Sequence, residues 1–407
     1  IFMPIFVYLI APGFAESSDK LALTVFLTRI TFPFLIFISL ASFFSAILNS
    51  HNKFGAAAAA PIILNIILIL ILYFVKDDKD VVVKYLSYGV SFAGLIQSIF
   101  LYFYVKKFYK PIINFNFKKT NKVMLFFKKL VPSIFSSGVT QINILVGTII
   151  ASFQANAVSY LYYADRIYQI NLAIAGIAIG TILLPSLSKY VNLNKKDKID
   201  LIQKKSFELS IFLSLPAMMA IIIASEEITS SLFGYGSFDT ISVKNSAKAL
   251  FFFSFGLPAF SLIKIFSAFL FARHNTKIPF YFSIVSVIFN IIISLYFFPK
   301  YGFVAIPIAT TISSWINVIM LYSFLMKKKY FTLGNINFLS LAKIVCNSIL
   351  SCYIFYLMII NFSEFLKYDS SYKLISIIVI VLITFLLYIL TSIVTKALKL
   401  SDIKLKY

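Results

Sequence analysis

Long apolar stretches alternate with short polar ones along almost the whole chain. Eleven of these stretches have roughly the ~20 residues that a helix needs to cross a bilayer, and residues 1–10 resemble the end of another. They do not alternate between apolar and polar positions as the strands of a membrane barrel do. The pattern predicts an all-α polytopic transmembrane bundle with spans at 25–48, 56–75, 82–105, 129–153, 163–188, 206–225, 247–272, 278–298, 303–326, 341–361 and 373–397.

Composition and charge support a membrane protein and indicate its orientation. Hydrophobic residues make up 60% of the chain and charged residues only 13%, which is too apolar for a water-soluble domain. The net charge of +22 is uneven, because one set of alternate loops holds 24 Lys and Arg and the opposite set holds nine. Lys and Arg are retained on the cytoplasmic side, so we expect an inner-membrane protein with a cytoplasmic C-terminus and no nucleic-acid partner. The basic loops are 49–55, 106–129, 189–205, 273–277, 327–340 and the tail from 396.

A repeat predicts the domain organisation. Residues 39–53 (SLASFFSAILNSHNK) resemble residues 261–277 (SLIKIFSAFLFARHNTK), and the two copies lie six predicted helices apart, in the first and seventh spans. An even number preserves orientation, which predicts two parallel six-helix lobes with substrate between them. The offset of 222 residues places the counterpart of residue 128 about 90 residues before residue 1, so we expect an incomplete first lobe. The predicted parts are an N-terminal lobe at 1–110 (the end of helix 3 to helix 6), a cytoplasmic linker at 111–128, a C-terminal lobe at 129–327 (helices 7 to 12), and two additional helices with a cytoplasmic tail at 328–407.

A few charged residues fall inside the predicted spans. Each charge at mid-bilayer costs at least ~2.5 kcal/mol on insertion scales, so such residues line a cavity or find a partner. Arg29, Lys343 and Glu208 lie near helix ends, where long side chains reach the headgroups. Arg166 and Lys264 lie about two turns or more inside their helices. These two are the leading candidates for a functional role.

Polar residues at helical spacing surround the two deep cations. Tyr162, Arg166 and Gln169 share one face of a helix, and that face predicts a cavity wall. Asp165 lies about 100° round the same helix, where it either braces a neighbouring helix or offsets the charge of Arg166. Further along this face, Gly176 and Gly180 fit either the cavity or close helix packing. Two more polar stripes predict walls of the same cavity: Ser133, Ser137, Gln141 and Thr148 on one helix, and Ser254, Ser261 and Lys264 on another.

The excess of cations at depth favours an anionic ligand such as a diphosphate, which guanidinium and ammonium groups bind well. An exporter of cationic drugs would need acids at depth, and only Asp165 qualifies. A membrane enzyme acting on polyprenyl diphosphates would need clustered carboxylates for Mg²⁺, which the predicted spans lack. The sequence therefore predicts a transporter with no cofactor and no metal.

Five strings closely resemble the MurJ (MviN) family of lipid II flippases: APGFA at 11–15, ITFPFL at 30–35, SAILNSHNKFG at 45–55, YYADRIYQ at 162–169 and GTILLPSLSK at 180–189. The resemblance implies fourteen helices, membership of the exporter superfamily that includes multidrug and polysaccharide exporters, and alternating access. It implies that Arg166 engages the headgroup of lipid II and that Lys264 matches a basic position of the family. Gln169 stands where many relatives have Glu.

The resemblance also implies a coupling mechanism and a substrate. Some relatives bind sodium near the later helices, which makes Asn290 and Thr310 a candidate cation site, and coupling to the membrane potential or to a monovalent cation is expected. The leading hypothesis is outward flipping of lipid II, an undecaprenyl-diphosphate-linked peptidoglycan precursor. The alternatives are a flippase for another polyprenyl-diphosphate-linked oligosaccharide and a membrane partner that transports nothing. Without the first two helices of the family, this stretch of chain alone is expected to be inactive.

Overall fold

Every regular element that the computed structural model describes is helical, which confirms the predicted all-α class. The described residues are 2–51, 53–76, 78–109, 123–125, 141–173, 178–332 and 338–397. The α-helices are α1 (Met3–Ile10), α2 (Ser18–Thr31), α3 (Phe34–Ser50), α4 (Phe54–Phe74), α5 (Lys79–Lys106), α6 (Gln141–Ala151), α7 (Ala157–Leu172), α8 (Ala178–Asn192), α9 (Lys196–Phe233), α10 (Thr240–Ser254), α11 (Leu257–Phe271), α12 (Lys277–Tyr301), α13 (Ala305–Lys327), α14 (Phe338–Asn361), α15 (Ser363–Leu366) and α16 (Lys373–Val394).

Seven segments of the described chain are long and apolar enough to cross a bilayer, or up to eight if the bent pair α10 and α11 forms one span. One of these segments, 277–327, contains both α12 and α13. Hydrogen bonds join Ser286 to Ser313 and Asn290 to Thr310, a register that makes the two helices antiparallel. The predicted spans at 129–153 and 163–188 lie partly outside the described residues. The chain is a multi-pass membrane protein.

Two helices depart from the predicted spans in instructive ways. Helix α9 has 38 residues, about 57 Å of helix, whereas the prediction was 206–225. Its polar turns continue the helix beyond the apolar stretch at both ends, and non-helical angles at Ala224 kink it. The predicted span 247–272 is broken into α10 and α11, which meet at 44°. Gly256 and Pro258 lie at this break, and a proline within the first turn of α11 cannot continue the hydrogen bonding of α10.

The chain divides into two compact units, residues 1–130 (unit 1) and 131–407 (unit 2). In unit 1, helices α3, α4 and α5 pack around a small core that includes Ala41, Leu48 and Leu101. Small side chains such as Ala41 and Ala60 allow the helix backbones to approach closely, which is how helices associate in lipid.

In unit 2, the core is centred on α11. Phe266 and Phe269 are almost fully buried and pack with Leu187 of α8 and Leu321 of α13. A second core joins α6, α7 and α10, and α14 and α16 pack beside α9. In the last of these contacts, Tyr388 stacks on Phe212 with ring centroids 4.6 Å apart and donates to its carbonyl oxygen over 2.8 Å.

Candidate functional site

Helix α7 has one buried face and one exposed polar face within unit 2. Ala164 and Tyr168 are buried, because this face of α7 packs mainly on α10. Tyr162, Arg166 and Gln169 are exposed on the opposite face, where the sequence placed them together. The predicted polar stripe is therefore available to a ligand.

The guanidinium group of Arg166 lies 4.6 Å from the ring centroid of Tyr162, one helical turn earlier. A ring beside a guanidinium group can hold it without using its N–H donors. No carboxylate of the described chain lies within 4 Å of Arg166 as an ion-pair partner. Arg166 thus lies against an aromatic ring, and its attraction to the adjacent Asp165 acts over a longer distance than an ion pair.

Asp165 is half-buried and makes no ion pair with Arg166 within 4 Å, although the two charges attract each other at longer range. Its carboxylate accepts a hydrogen bond from the amide nitrogen of Gln169, also one turn along α7. The sequence left the partner of Asp165 open, and the structure assigns it to Gln169. Gln169 therefore supports the acid and does not bind Arg166.

Lys264 is the exposed residue of an otherwise buried stretch of α11. Its flanks on the same face, Phe260 and Ser267, are half-buried. The ring of Phe260 packs against Tyr168 of α7 with centroids 5.0 Å apart. The exposed faces that carry Arg166 and Lys264 thus belong to neighbouring helices of unit 2.

The rest of the predicted stripe, Ser254 at the end of α10 and Ser261 on α11, is different. Ser254 and Ser261 are fully buried. The hydroxyl of Ser254 donates to the carbonyl of Phe251, and that of Ser261 lies 2.7 Å from the hydroxyl of Ser210 on α9. The prediction that these serines line a cavity is wrong, because small hydroxyls also serve as contacts between closely packed membrane helices. Lys264 alone of this stripe is exposed.

Gln141 is the first residue of α6 and is exposed. Ser137 and Ser133, predicted on the same stripe, lie outside the described residues, as does Gly176. The part of the stripe that can be described therefore begins at Gln141. The predicted cavity role of these residues remains a prediction.

Asn290 and Thr310, the candidate cation site, do lie together. Asn290 is 3% exposed, and its amide nitrogen donates to the hydroxyls of Thr310 over 3.0 Å and Ser313 over 3.4 Å. Its amide oxygen accepts from Ser294 over 3.2 Å. This network joins α12 to α13, and all of its members are uncharged. Across the described ranges, no cluster of three or more His, Cys, Asp or Glu side chains could hold a metal ion.

Comparison with known proteins identifies relatives of the whole chain. A family model described as "Lipid II flippase MurJ" matches residues 1–376. A probable lipid II flippase MurJ of Rickettsia prowazekii (strain Madrid E) is 38% identical over 331 residues, covering 81% of this chain and 64% of that protein. One of Rhizobium meliloti (strain 1021) is 38% identical over 324 residues, covering 77% and 59%. The chain spans less than two thirds of the length of these relatives.

Two solved structures are similar in fold to this chain. The structure titled "Lipid II flippase MurJ, inward closed conformation" superimposes with a TM-score of 0.76 at 26% identity, covering 97% of this chain and 78% of that one. An inward-facing MATE family multidrug transporter of the MOP superfamily shares the fold, with a TM-score of 0.65 at 12% identity over 80% of this chain and 76% of that one. These findings confirm the resemblance carried by the five sequence strings: the chain belongs to the lipid II flippase MurJ family.

Proposed function

We propose that the protein containing this chain flips lipid II from the inner to the outer leaflet of the cytoplasmic membrane for cell-wall synthesis. The observation that carries the proposal is Arg166, an exposed arginine on a membrane helix, held by Tyr162 and without a close carboxylate. A cation within a span that makes no ion pair is costly, so we infer that it is retained for a function. The relatives named as lipid II flippases supply the substrate class.

The chemistry of Arg166 suits a diphosphate. A guanidinium group donates two parallel hydrogen bonds to one phosphate, and charge-assisted bonds of this kind are about twice as strong as neutral ones. Lys264 would add a second positive charge. The contact between Tyr168 and Phe260 sets the two helices at the same height. Arg166 lies two residues before Tyr168, and Lys264 lies four residues after Phe260. If both helices cross the membrane in the same direction, the two charges are about 9 Å apart along the helix axis. That spacing suits two parts of one extended headgroup.

Charge asymmetry between the loops orients the proposed transporter, with the C-terminus in the cytoplasm. Transport would proceed by alternating access. The energy source would be the membrane potential or a monovalent cation, for which Asn290 and Thr310 are the candidate ligands. Uncharged oxygens bind a monovalent ion only weakly without an acid, so the membrane potential acting on the excess cationic charge is the preferred source.

Complementation tests the substrate. The full-length gene is expressed in a strain depleted of its essential lipid II flippase, and growth and lipid II at the outer surface are measured. We expect growth and exposure to recover. An expressed, inserted protein that restores neither, yet restores export in a strain lacking a polysaccharide flippase, would shift the assignment to another polyprenyl-diphosphate-linked oligosaccharide. Failure in both strains would favour a membrane partner that transports nothing.

A further inference from the structure

Unit 2 contains an open cavity of about 470 Å³ to which neither α7 nor α11 contributes a lining residue. It is lined by the ends of α9 and α14, the start of α10 and the segment that joins α14 to α16. Its charged side chains come from three directions: Glu226 and Glu227 from α9, Lys244 from α10, and Lys367 from the joining segment. Most of the remaining lining is apolar.

The floor of the cavity holds an unsatisfied hydroxyl. Ser230 is 5% exposed and lines the cavity, and its hydroxyl oxygen is buried with no hydrogen-bond partner in the part of the chain that the structure describes. Buried polar groups of folded proteins almost always have a partner. A ligand group that enters the cavity would supply one.

The wall of the cavity is fixed by a buried lysine. Lys373 is 1% exposed and donates to the carbonyl oxygens of Gly234 and Tyr368, each over 2.6 Å. The hydroxyl of Tyr368, a lining residue, donates to the carbonyl of Phe238 over 2.9 Å. These bonds tie the joining segment to the loop between α9 and α10, so the cavity is preformed.

The two signs of charge lie on different walls. Glu226, Glu227 and Lys244 have no ion-pair partner within 4 Å among the described residues, whereas Lys367 pairs with Glu364 over 2.5 Å. The carboxylates can accept hydrogen bonds from a cationic N–H group. Lys244 lies on the second turn of α10, and its ammonium group can pair with an anion. The cavity therefore matches a ligand that carries an ammonium and a phosphate together.

The lining of the cavity continues onto an exposed, largely apolar surface of α14. Ile360, at the rim, is 49% exposed, and Tyr356 and Leu357 are exposed on the preceding turn of α14. An acyl chain can lie along these residues while its headgroup enters the cavity. We propose that the cavity binds the headgroup of an aminophospholipid of the surrounding bilayer, with the primary ammonium at Glu226 and Glu227 and the phosphate at Lys244.

Lipid titration followed by native mass spectrometry tests the proposal on the delipidated full-length protein. The probes are palmitoyl-oleoyl phosphatidylethanolamine, phosphatidylcholine and phosphatidylglycerol. Only the first carries both a phosphate and an ammonium with N–H donors. We expect it to bind about tenfold more tightly than the other two, since one charge-assisted hydrogen bond accounts for roughly that factor. Equal affinity for all three lipids would overturn the proposal.

Variants locate the binding within the cavity. The double change Glu226→Gln and Glu227→Gln should abolish the preference for phosphatidylethanolamine, while Glu16→Gln, an exposed acid of unit 1, should preserve it. Lys244→Gln should weaken the binding of all three lipids. Lys248→Gln, at an exposed position one turn further along α10, should leave the binding of all three unchanged. Ile360→Trp, at the exposed rim, should block entry without disturbing the buried core. A preference that survives both the double change and the rim change would place the lipid elsewhere.

Discussion

Two cations of unit 2 lie against tyrosine rings, yet their surroundings are opposite. Lys373 is 1% exposed, is 4.2 Å and 4.5 Å from the rings of Tyr235 and Tyr368, and donates to two backbone carbonyls. Arg166 has the ring of Tyr162 alone and is exposed. Lys373, with two backbone carbonyls and two rings around its ammonium group, holds loops together. The guanidinium group of Arg166 donates to none of the described residues, so its donors can serve a ligand.

The largest effect on stability is expected at Lys373. Lys373→Met keeps the bulk of the side chain but leaves two buried carbonyls without donors, and hydrogen bonds to charged groups contribute about 1.5–3 kcal/mol each. We expect the free energy of unfolding to fall by about 3 kcal/mol, measured as a lower unfolding temperature of the purified protein. Lys300→Met, at an exposed lysine that also lies over a tyrosine ring, is the control and should change little. Equal effects of the two changes would mean that the carbonyl bonds do not matter.

An intermediate effect is expected at Asn290, an uncharged group whose hydrogen bonds are satisfied like those of Lys373. Hydrogen bonds between membrane helices contribute about 0.6 kcal/mol on average and up to about 1.7 kcal/mol. In a double-mutant cycle of Asn290→Ala and Thr310→Val, we expect a coupling energy in this range. Ser283→Ala is the matched control, since its hydroxyl bonds only to its own helix. Sodium that raises the unfolding temperature of the wild type but not of the double variant would instead support the cation site.

The smallest effect on stability is expected at Asp239, an exposed carboxylate that accepts a hydrogen bond at the start of α10. Hydrogen bonds from Ser242 hold the pKa of this carboxyl below its usual value, including one of 2.8 Å from the backbone N–H. Because the pKa is lower in the folded protein, the stabilisation is present above the ordinary carboxyl pKa near 4 and is lost as the pH falls through the folded value. The wild type should lose slightly more stability than Asp239→Asn between pH 5 and pH 2. Identical pH profiles of thermal unfolding would contradict this.

The sequence predicted where most membrane helices lie, but not which of their polar side chains are buried. Apolar length placed α14 and α16 within a few residues of Phe338–Asn361 and Lys373–Val394, because burial in lipid requires that length. The same reasoning missed the extent of α9, since polar helical turns outside the bilayer do not differ in hydropathy from loops. It also did not indicate that Lys373, the first residue of the predicted span 373–397, is buried. Hydropathy does not report which carbonyls a side chain will meet.

Helical spacing likewise predicted some features of the candidate site and missed others. Helical spacing correctly grouped Tyr162, Arg166 and Gln169 on one exposed face, since that periodicity is a property of the helix itself. It failed for Ser254 and Ser261, because a serine stripe fits a wet surface and a tight helix contact equally well. For Ser261 it is the packing of α11 against α9 that separates these outcomes, and for Ser254 it is the burial of its hydroxyl within α10.

The proposed function depends on Arg166 of α7, whose guanidinium group would engage the diphosphate of lipid II. The measurement is lipid II at the outer surface of a flippase-depleted strain that carries the full-length gene with Arg166→Ala, Arg166→Lys or the control Arg29→Ala, normalised for membrane abundance. Losing one charge-assisted hydrogen bond costs about 1.5–3 kcal/mol, roughly tenfold or more in affinity. We predict that Arg166→Ala nearly abolishes exposure, that Arg166→Lys impairs it because an ammonium lacks the fork of donors, and that Arg29→Ala preserves it. Wild-type exposure with Arg166→Ala would contradict the account and would leave Arg166 a residue that merely packs on Tyr162.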